Sequence, residues 1–182
     1  MRIGYPCINR SIGCSANKTF RLASYSEERL KETVAGNLAC LRKILLWNAG
    51  KNIRFFRITS DLVPFASHPV CTFPWASHFQ DELEGIGAII HKTGTRISMH
   101  PDQFIVLNAP DRKVVDRSIA ELDYHASVLD AMGLDATAKI QLHVGGVYGN
   151  KEESLDRFAR VYDSLDSKIR TRLVVENDDN RF

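Results

Sequence analysis

The 182-residue chain has no acidic side chain before Glu27 and no C-x-x-C pair among its four cysteines. It also has no apolar run approaching the roughly 18 residues of a membrane span. Each absence removes a class of protein. With no signal-type apolar segment after Arg2 and no span, the chain reads as soluble and cytoplasmic, with no membrane partner. Cys7, Cys14, Cys40 and Cys71 are few and irregularly spaced, which argues against a disulfide framework or a cysteine zinc site and for idle thiols. A composition of 44% hydrophobic and 25% charged residues is that of an ordinary globular chain, long enough for one domain, 1–182, and too short for two.

The missing acids leave the front basic. Residues 1–60 carry 11 Lys and Arg against 3 acids, whereas the remainder carries 13 against 19, so the formal net charge of +2 hides an asymmetry. Arg10, Lys18 and Arg21 lie in an Asn-, Ser- and Gly-containing stretch from Pro6 to about Tyr25. That stretch is too long for an idle connector and suits a loop that meets phosphates.

Hydrophobic spacing organises the rest. Strands are predicted at Met1–Tyr5, Ile53–Ile58, Arg96–Met99, Lys139–Leu142 and Arg172–Val175. Four helices separate them. The first is predicted to start at a Ser24/Glu27 capping box and to bury Leu30, Val34, Leu38, Leu41 and Leu45. The second buries Phe79, Leu83, Ile86 and Ile90, and the third, opened by Pro110 and Asp111, buries Val115, Ile119, Leu122, Ala126 and Leu129. The fourth, capped by Asn150, buries Leu155, Phe158, Tyr162 and Leu165.

Alternating β and α segments imply parallel strands with helical crossovers. The polar residues Tyr5, Ser60, His100, His143 and Glu176 stand at successive strand ends, which favours a (β/α)₈ TIM barrel, where such ends share one mouth, over an open doubly wound sheet. Five strands and four helices are the front part of such a barrel. An incomplete barrel is expected to leave its first and fifth strands as edges and to expose an apolar interior, and so to associate.

The densest chemistry is Met99-His100-Pro101-Asp102-Gln103-Phe104, where proline stops the strand and presents His100 at its end. His100, His143 and Glu176 at consecutive strand ends form an imidazole and carboxylate set suited to Mn²⁺, Zn²⁺ or Fe²⁺. His68 lies in the loop after the second strand, and His78, His91 and His125 fall on helices and are expected at the surface. Gly145, Gly146 and Gly149 are either an ordinary strand-exit turn or a phosphate approach. Gln103-Phe104 is either a wedge between bases or a buried plug in the barrel mouth.

Met-His-Pro-Asp-Gln-Phe, with Gly4-Tyr5, Phe-Arg-Ile-Thr-Ser-Asp, Leu-His-Val-Gly-Gly and Val-Val-Glu-Asn-Asp-Asp at the other strands, resembles the UV damage endonucleases over essentially the whole chain. The resemblance implies an endonuclease IV-like barrel with a three-metal cluster, usually Mn²⁺ with Zn²⁺ or Mg²⁺ as alternatives, and no organic cofactor. It implies incision of double-stranded DNA on the 5′ side of UV photoproducts, without an obligate protein partner. By the same resemblance His100 and His143 would be ligands of one metal and Glu176 a catalytic, bridging ligand. His68 would be catalytic near the scissile phosphate, Gln103 and Phe104 would probe the lesion, and Tyr5, Asn9 and Arg10 would contact DNA. The family's remaining ligands are expected beyond Phe182, so the chain is expected to be a fragment. The competing readings are a xylose-isomerase-like sugar isomerase, which needs neither a basic loop nor a Gln-Phe wedge, and an inactive DNA-binding fragment.

Overall fold

The computed structural model describes residues 2–176. Met1 of the expected first strand and Asn177, Asp178 and Asp179 of the fifth-strand motif lie outside the described residues. Five strands, β1 (Gly4–Pro6), β2 (Phe55–Ile58), β3 (Arg96–Met99), β4 (Lys139–His143) and β5 (Leu173–Glu176), alternate with the long helices α1 (Glu27–Gly50), α3 (Gln80–Thr93), α4 (Arg112–Ala131) and α5 (Lys151–Ser164). Two single-turn helices that the spacing did not signal, α2 (Trp75–His78) and α6 (Ser167–Arg170), complete the set; Asp166 caps α6 by accepting the Lys168 N–H.

The strands form one sheet in the order β1-β2-β3-β4-β5, and every neighbouring pair is parallel. A doubly wound sheet would reverse direction at its midpoint. Here every crossover moves the same way, which is the winding of a (β/α) barrel and keeps the helices on one face of the sheet. Side chains alternate between the two faces. Phe56, Ile58, Ile97, Met99, Ile140, Leu142 and Leu173 meet the helices in the buried core.

The helical stripes meet them as the spacing predicts. Leu30, Val34, Leu38, Leu41 and Leu45 are all buried, as are Leu83, Ile86, Ile90, Val115, Leu122, Ala126 and Leu129. Each such Leu, Ile or Val side chain contributes about 1.5–3 kcal/mol relative to exposure. Helix α5 departs from the expectation: Leu155 is exposed and Phe158 and Tyr162 only half-buried, because α5 ends the helical layer and no described element covers its far side. Helix α1 starts at Ser26, whose hydroxyl accepts the Arg29 N–H, and not at Ser24, which is spent in a 3₁₀ turn at Leu22–Ser24.

Two expectations are corrected. The inner face of the sheet is polar: register aligns Phe55 with Arg96, Arg57 with Ser98, Ser98 with Lys139, and Gln141 with Val174, so only Phe55 and Val174 are apolar among these. Among the described residues the inner face is therefore not the apolar interior that the expected association rests on. The thiols are not all idle either, since Cys14 is disulfide-bonded to Cys40 with a Cα–Cα separation of 5.9 Å, leaving Cys7 and Cys71 free. Sequence spacing did not reveal this pair because its 26-residue separation is closed only when the basic loop folds back on α1. Asn37 of α1, fully buried, pins the same loop through the Lys18 backbone and joins it to the carbonyls of Asp61 and Leu62 after β2.

Candidate metal centre and nucleic-acid interface

Strand register delivers the centre. β4 and β5 pair so that His143 lies directly beside Glu176, and His100 follows the last residue of β3. One ligand atom from each of His100, His143 and Glu176 lies within 4.8 Å of the others, with half-buried side chains. His100 Nε2 is 3.5 Å and His143 Nε2 4.0 Å from Glu176 Oε2, and the two imidazole centroids are 5.1 Å apart.

The tautomer of His100 tests whether this set fits a cation. Its Nδ1 is 2.6 Å from the Pro101 carbonyl oxygen, which can only accept, so Nδ1 carries a proton and, in the neutral ring, Nε2 presents a lone pair. A lone pair facing a carboxylate oxygen is unfavourable unless a proton or a cation lies between them. A ring anchored through Nδ1 to a carbonyl is also the arrangement of metal-ligating histidines. The donor set and its spacing therefore fit a divalent ion held at about 2.0–2.2 Å.

The carboxylate is itself held: Gln141 Nε2 donates to Glu176 Oε2 at 2.6 Å, and Arg57 Nη2 donates to Gln141 Oε1 at 2.7 Å. Sequence reasoning missed Arg57 and Gln141. The signal was present in Lys139-Ile-Gln-Leu-His143, where polar residues alternate with buried Ile140 and Leu142, but it registered only at the strand end.

Phe104 is 76% exposed, which excludes the buried plug. With its exposed neighbour Gln103 it lines hollows of about 420 Å³, shared with His143, Gly145 and Tyr148, and about 440 Å³, shared with Arg57 and His100. Gln103 and Phe104 thus stand beside the candidate ligands. Gly145 has φ +108°, and a Cβ there would sit 2.3 Å from Asn108 Oδ1, so its glycine is needed for the close approach of Asn108, whose Nδ2 donates to the Gly146 carbonyl.

The other expected residues are placed differently. Asn9 is buried, donating to the Tyr5 hydroxyl and accepting the Ser11 N–H, and Tyr5 in turn donates to Asn48 of α1 at 2.6 Å. Burial raises the Tyr5 pKa, with the Asn9 and Asn48 hydrogen bonds opposing. Asn9 is thus enclosed and Tyr5 half-buried, whereas Arg10, Lys18 and Arg21 are exposed. His68 lies outside the three-residue cluster; its Nδ1 accepts the Val70 N–H, so the neutral ring has its proton on Nε2.

Among the helical histidines, His78 and His91 are exposed, but His125 is fully buried against the expectation. It sits on the core stripe of α4 between Leu122 and Leu129, its Nδ1 2.7 Å from the Glu121 carbonyl oxygen and its Nε2 unpartnered among the described residues. Burial lowers its pKa from 6.5 to about 4, opposed by the hydrogen bond to the Glu121 carbonyl. The unfolded imidazole gains a proton below its ordinary pKa that the folded one refuses until about pH 4. Stability is thus retained above pH 6.5 and lost as pH falls towards 4, on the order of 3 kcal/mol in all. In urea titrations across this range, His125→Leu should show a shallower loss of stability on acidification than the parent; equal slopes would contradict the assignment.

A singly wound β/α sheet with two histidines and a carboxylate converging at its strand ends defines the class as a TIM-barrel-type protein with a candidate metal centre. Residues 1–182 match the family model described as UV-endonuclease UvdE, and the chain belongs to that family. It is 38% identical over 182 residues to a UV DNA damage endonuclease of Clostridium perfringens, covering all of this chain and 44% of that protein. It is 33% identical over 190 residues to one from Bacillus thuringiensis subsp. konkukian, covering 60% of it. The crystal structure of SacUVDE superposes with a TM-score of 0.97 at 48% identity, over all of this chain and 62% of that one. Endonuclease IV from Thermus thermophilus shares the fold at a TM-score of 0.50 and 16% identity, over 75% of this chain and 46% of that chain. The chain thus spans between 44% and 62% of the length of these UV-endonuclease relatives. Among the described residues no helix is long and apolar enough to cross a membrane.

Proposed function

We propose that this single-domain chain acts in a divalent-metal-dependent DNA repair endonuclease that incises double-stranded DNA 5′ to UV photoproducts, with Mn²⁺ as the preferred ion. The observation that carries the reading is the convergence of His100, His143 and Glu176 beside an exposed Gln103-Phe104 pair, in a chain of the UV-endonuclease family.

The chemistry supplied by a divalent cation bound there is polarisation of a phosphoryl oxygen and activation of water. The protein's own groups do the rest. His100 and His143 offer ring nitrogens, with His100 oriented by Pro101, and Glu176 offers a carboxylate oriented by Gln141. His68, with its Nε2–H free of the internal Nδ1 bond, donates to an oxygen of the scissile phosphate. Phe104 stacks in the gap at the lesion while the Gln103 amide reads a base edge. Tyr5 and Asn9 hold the basic loop from below, and Arg10, Lys18 and Arg21 neutralise phosphates. The exposure of Phe104 and of these cations favours DNA over a sugar substrate.

The test is affinity for matched duplexes with and without one cyclobutane pyrimidine dimer, by fluorescence anisotropy with Mn²⁺ present. A preference for the lesion that Phe104→Ala removes supports the reading, and equal affinities for both duplexes would sink it. Across a salt series, Arg10→Ala/Lys18→Ala/Arg21→Ala should lower the slope of log affinity against log salt by about 0.9 for each phosphate left without its cation, up to about 3 in total. An unchanged slope would remove the basic loop from the interface.

A further inference from the structure

The inner face of the sheet carries a hydrogen-bonded chain that runs across three strands to the candidate metal ligand. Arg57 of β2 and Gln141 of β4 meet over β3, where the residue in register with Arg57 is Ser98, small and buried. Among the described residues the Arg57 side chain donates to Gln141 alone.

The chemistry of these groups fixes the direction of the chain. A guanidinium can only donate, so Gln141 must turn its oxygen to Arg57. Its NH₂ group is then obliged to face Glu176, 2.6 Å from Oε2, the same oxygen that faces His100 and His143. A glutamine amide on its own could present either end to the carboxylate site. Arg57 removes that choice.

Resting on the metal reading above, we propose that Gln141 and Arg57 are positioning residues for the metal ligand Glu176, and that Arg57 acts on it through Gln141. Gln141 fixes the rotamer of the carboxylate by donating to it. Arg57 locks the amide in the one orientation that donates. Neither touches the cation. This is the outer layer that orients ligating carboxylates, and changes in it weaken metal affinity by roughly 10–100-fold.

The experiment measures Mn²⁺ binding by loss of the free-ion signal in electron paramagnetic resonance. The proteins are the parent chain, Gln141→Met, Arg57→Met, the double variant and a His100→Ala control, each checked for folding by circular dichroism. Each single variant should bind Mn²⁺ about 10–100-fold more weakly, and the double variant no more weakly than Gln141→Met, because Arg57 has no route to the carboxylate once the amide is gone. If Gln141→Met does not fold, Arg57→Gln reads the same link: a neutral amide at 57 can accept as well as donate, releases Gln141 to flip, and should weaken binding by a similar factor. Parent-like affinity in the single variants, or a double-variant loss equal to the product of the two single losses, overturns the inference while leaving the metal site intact. A parent chain whose Mn²⁺ binding is absent, or indifferent to His100→Ala, overturns the metal reading and this inference together.

Discussion

Replacing His100 or His143 by Ala should reduce Mn²⁺ affinity by more than the roughly 10–100-fold expected for an outer-layer change, because a ligand is lost outright. The three donor atoms fall within 4.8 Å of one another and come from three adjacent strands of a parallel sheet. Removing either ring leaves two donors, too few to hold a divalent ion against water. The rings lie on the open side of the sheet, away from the core that the helices close. Folding should therefore change little, and the thermal midpoint should stay within a few degrees while metal binding collapses. Isothermal titration with Mn²⁺, paired with a thermal melt, separates the two effects. Affinity retained in both variants would show that the histidines are structural and the carboxylate an ordinary strand-end acid.

The second large effect is expected far from the mouth. Arg172 is only 5% exposed, and its guanidinium donates to the carbonyls of Asp135, of Leu134 at 2.6 Å and of Ala138 at 3.3 Å, and to Asp130 Oδ1 at 2.6 Å. These bonds close the turn between α4 and β4, and the Arg172 carbonyl accepts the Ile140 N–H at 2.9 Å to start the β4 and β5 pairing. Arg172→Ala leaves several buried acceptors without a donor and should destabilise the chain by about 3–5 kcal/mol. Lysine cannot form the same fork, so Arg172→Lys should recover only a part. Urea denaturation measures both, and a loss below about 1 kcal/mol for Arg172→Ala would mean that the turn holds without its guanidinium. Because β4 delivers His143 and β5 delivers Glu176, this bond set also keeps two candidate ligands in register.

The parts of this molecule that were legible in the sequence are those encoded locally. The stripe from Leu30 to Leu45 repeats at helical spacing, and Asp111 and Asn150 cap the helices they precede. His100 before Pro101, and His143 after an alternating strand, announce strand ends without knowledge of any partner. What stayed hidden depends on contacts between distant residues. Cys14 and Cys40 pair only through the fold of the basic loop. His125 has no partner in sight along the sequence and so is expected at the surface, yet its place in the α4 stripe between Leu122 and Leu129 puts it inside. Arg57 and Gln141 lie on strands of different crossover units, so their link to Glu176 exists only once β2, β3 and β4 are side by side. The polar inner face was hidden for the same reason: alternation marks two faces, but only the sheet order shows which one the helices cover.

The central claim is that His100, His143 and Glu176 hold one divalent cation. Anomalous diffraction from crystals grown with Mn²⁺, collected on both sides of the manganese absorption edge, tests it directly. One strong edge-dependent peak is expected about 2.0–2.2 Å from both Nε2 atoms and a Glu176 carboxylate oxygen. A fully occupied peak elsewhere, or none between these three side chains at saturating Mn²⁺, would contradict it.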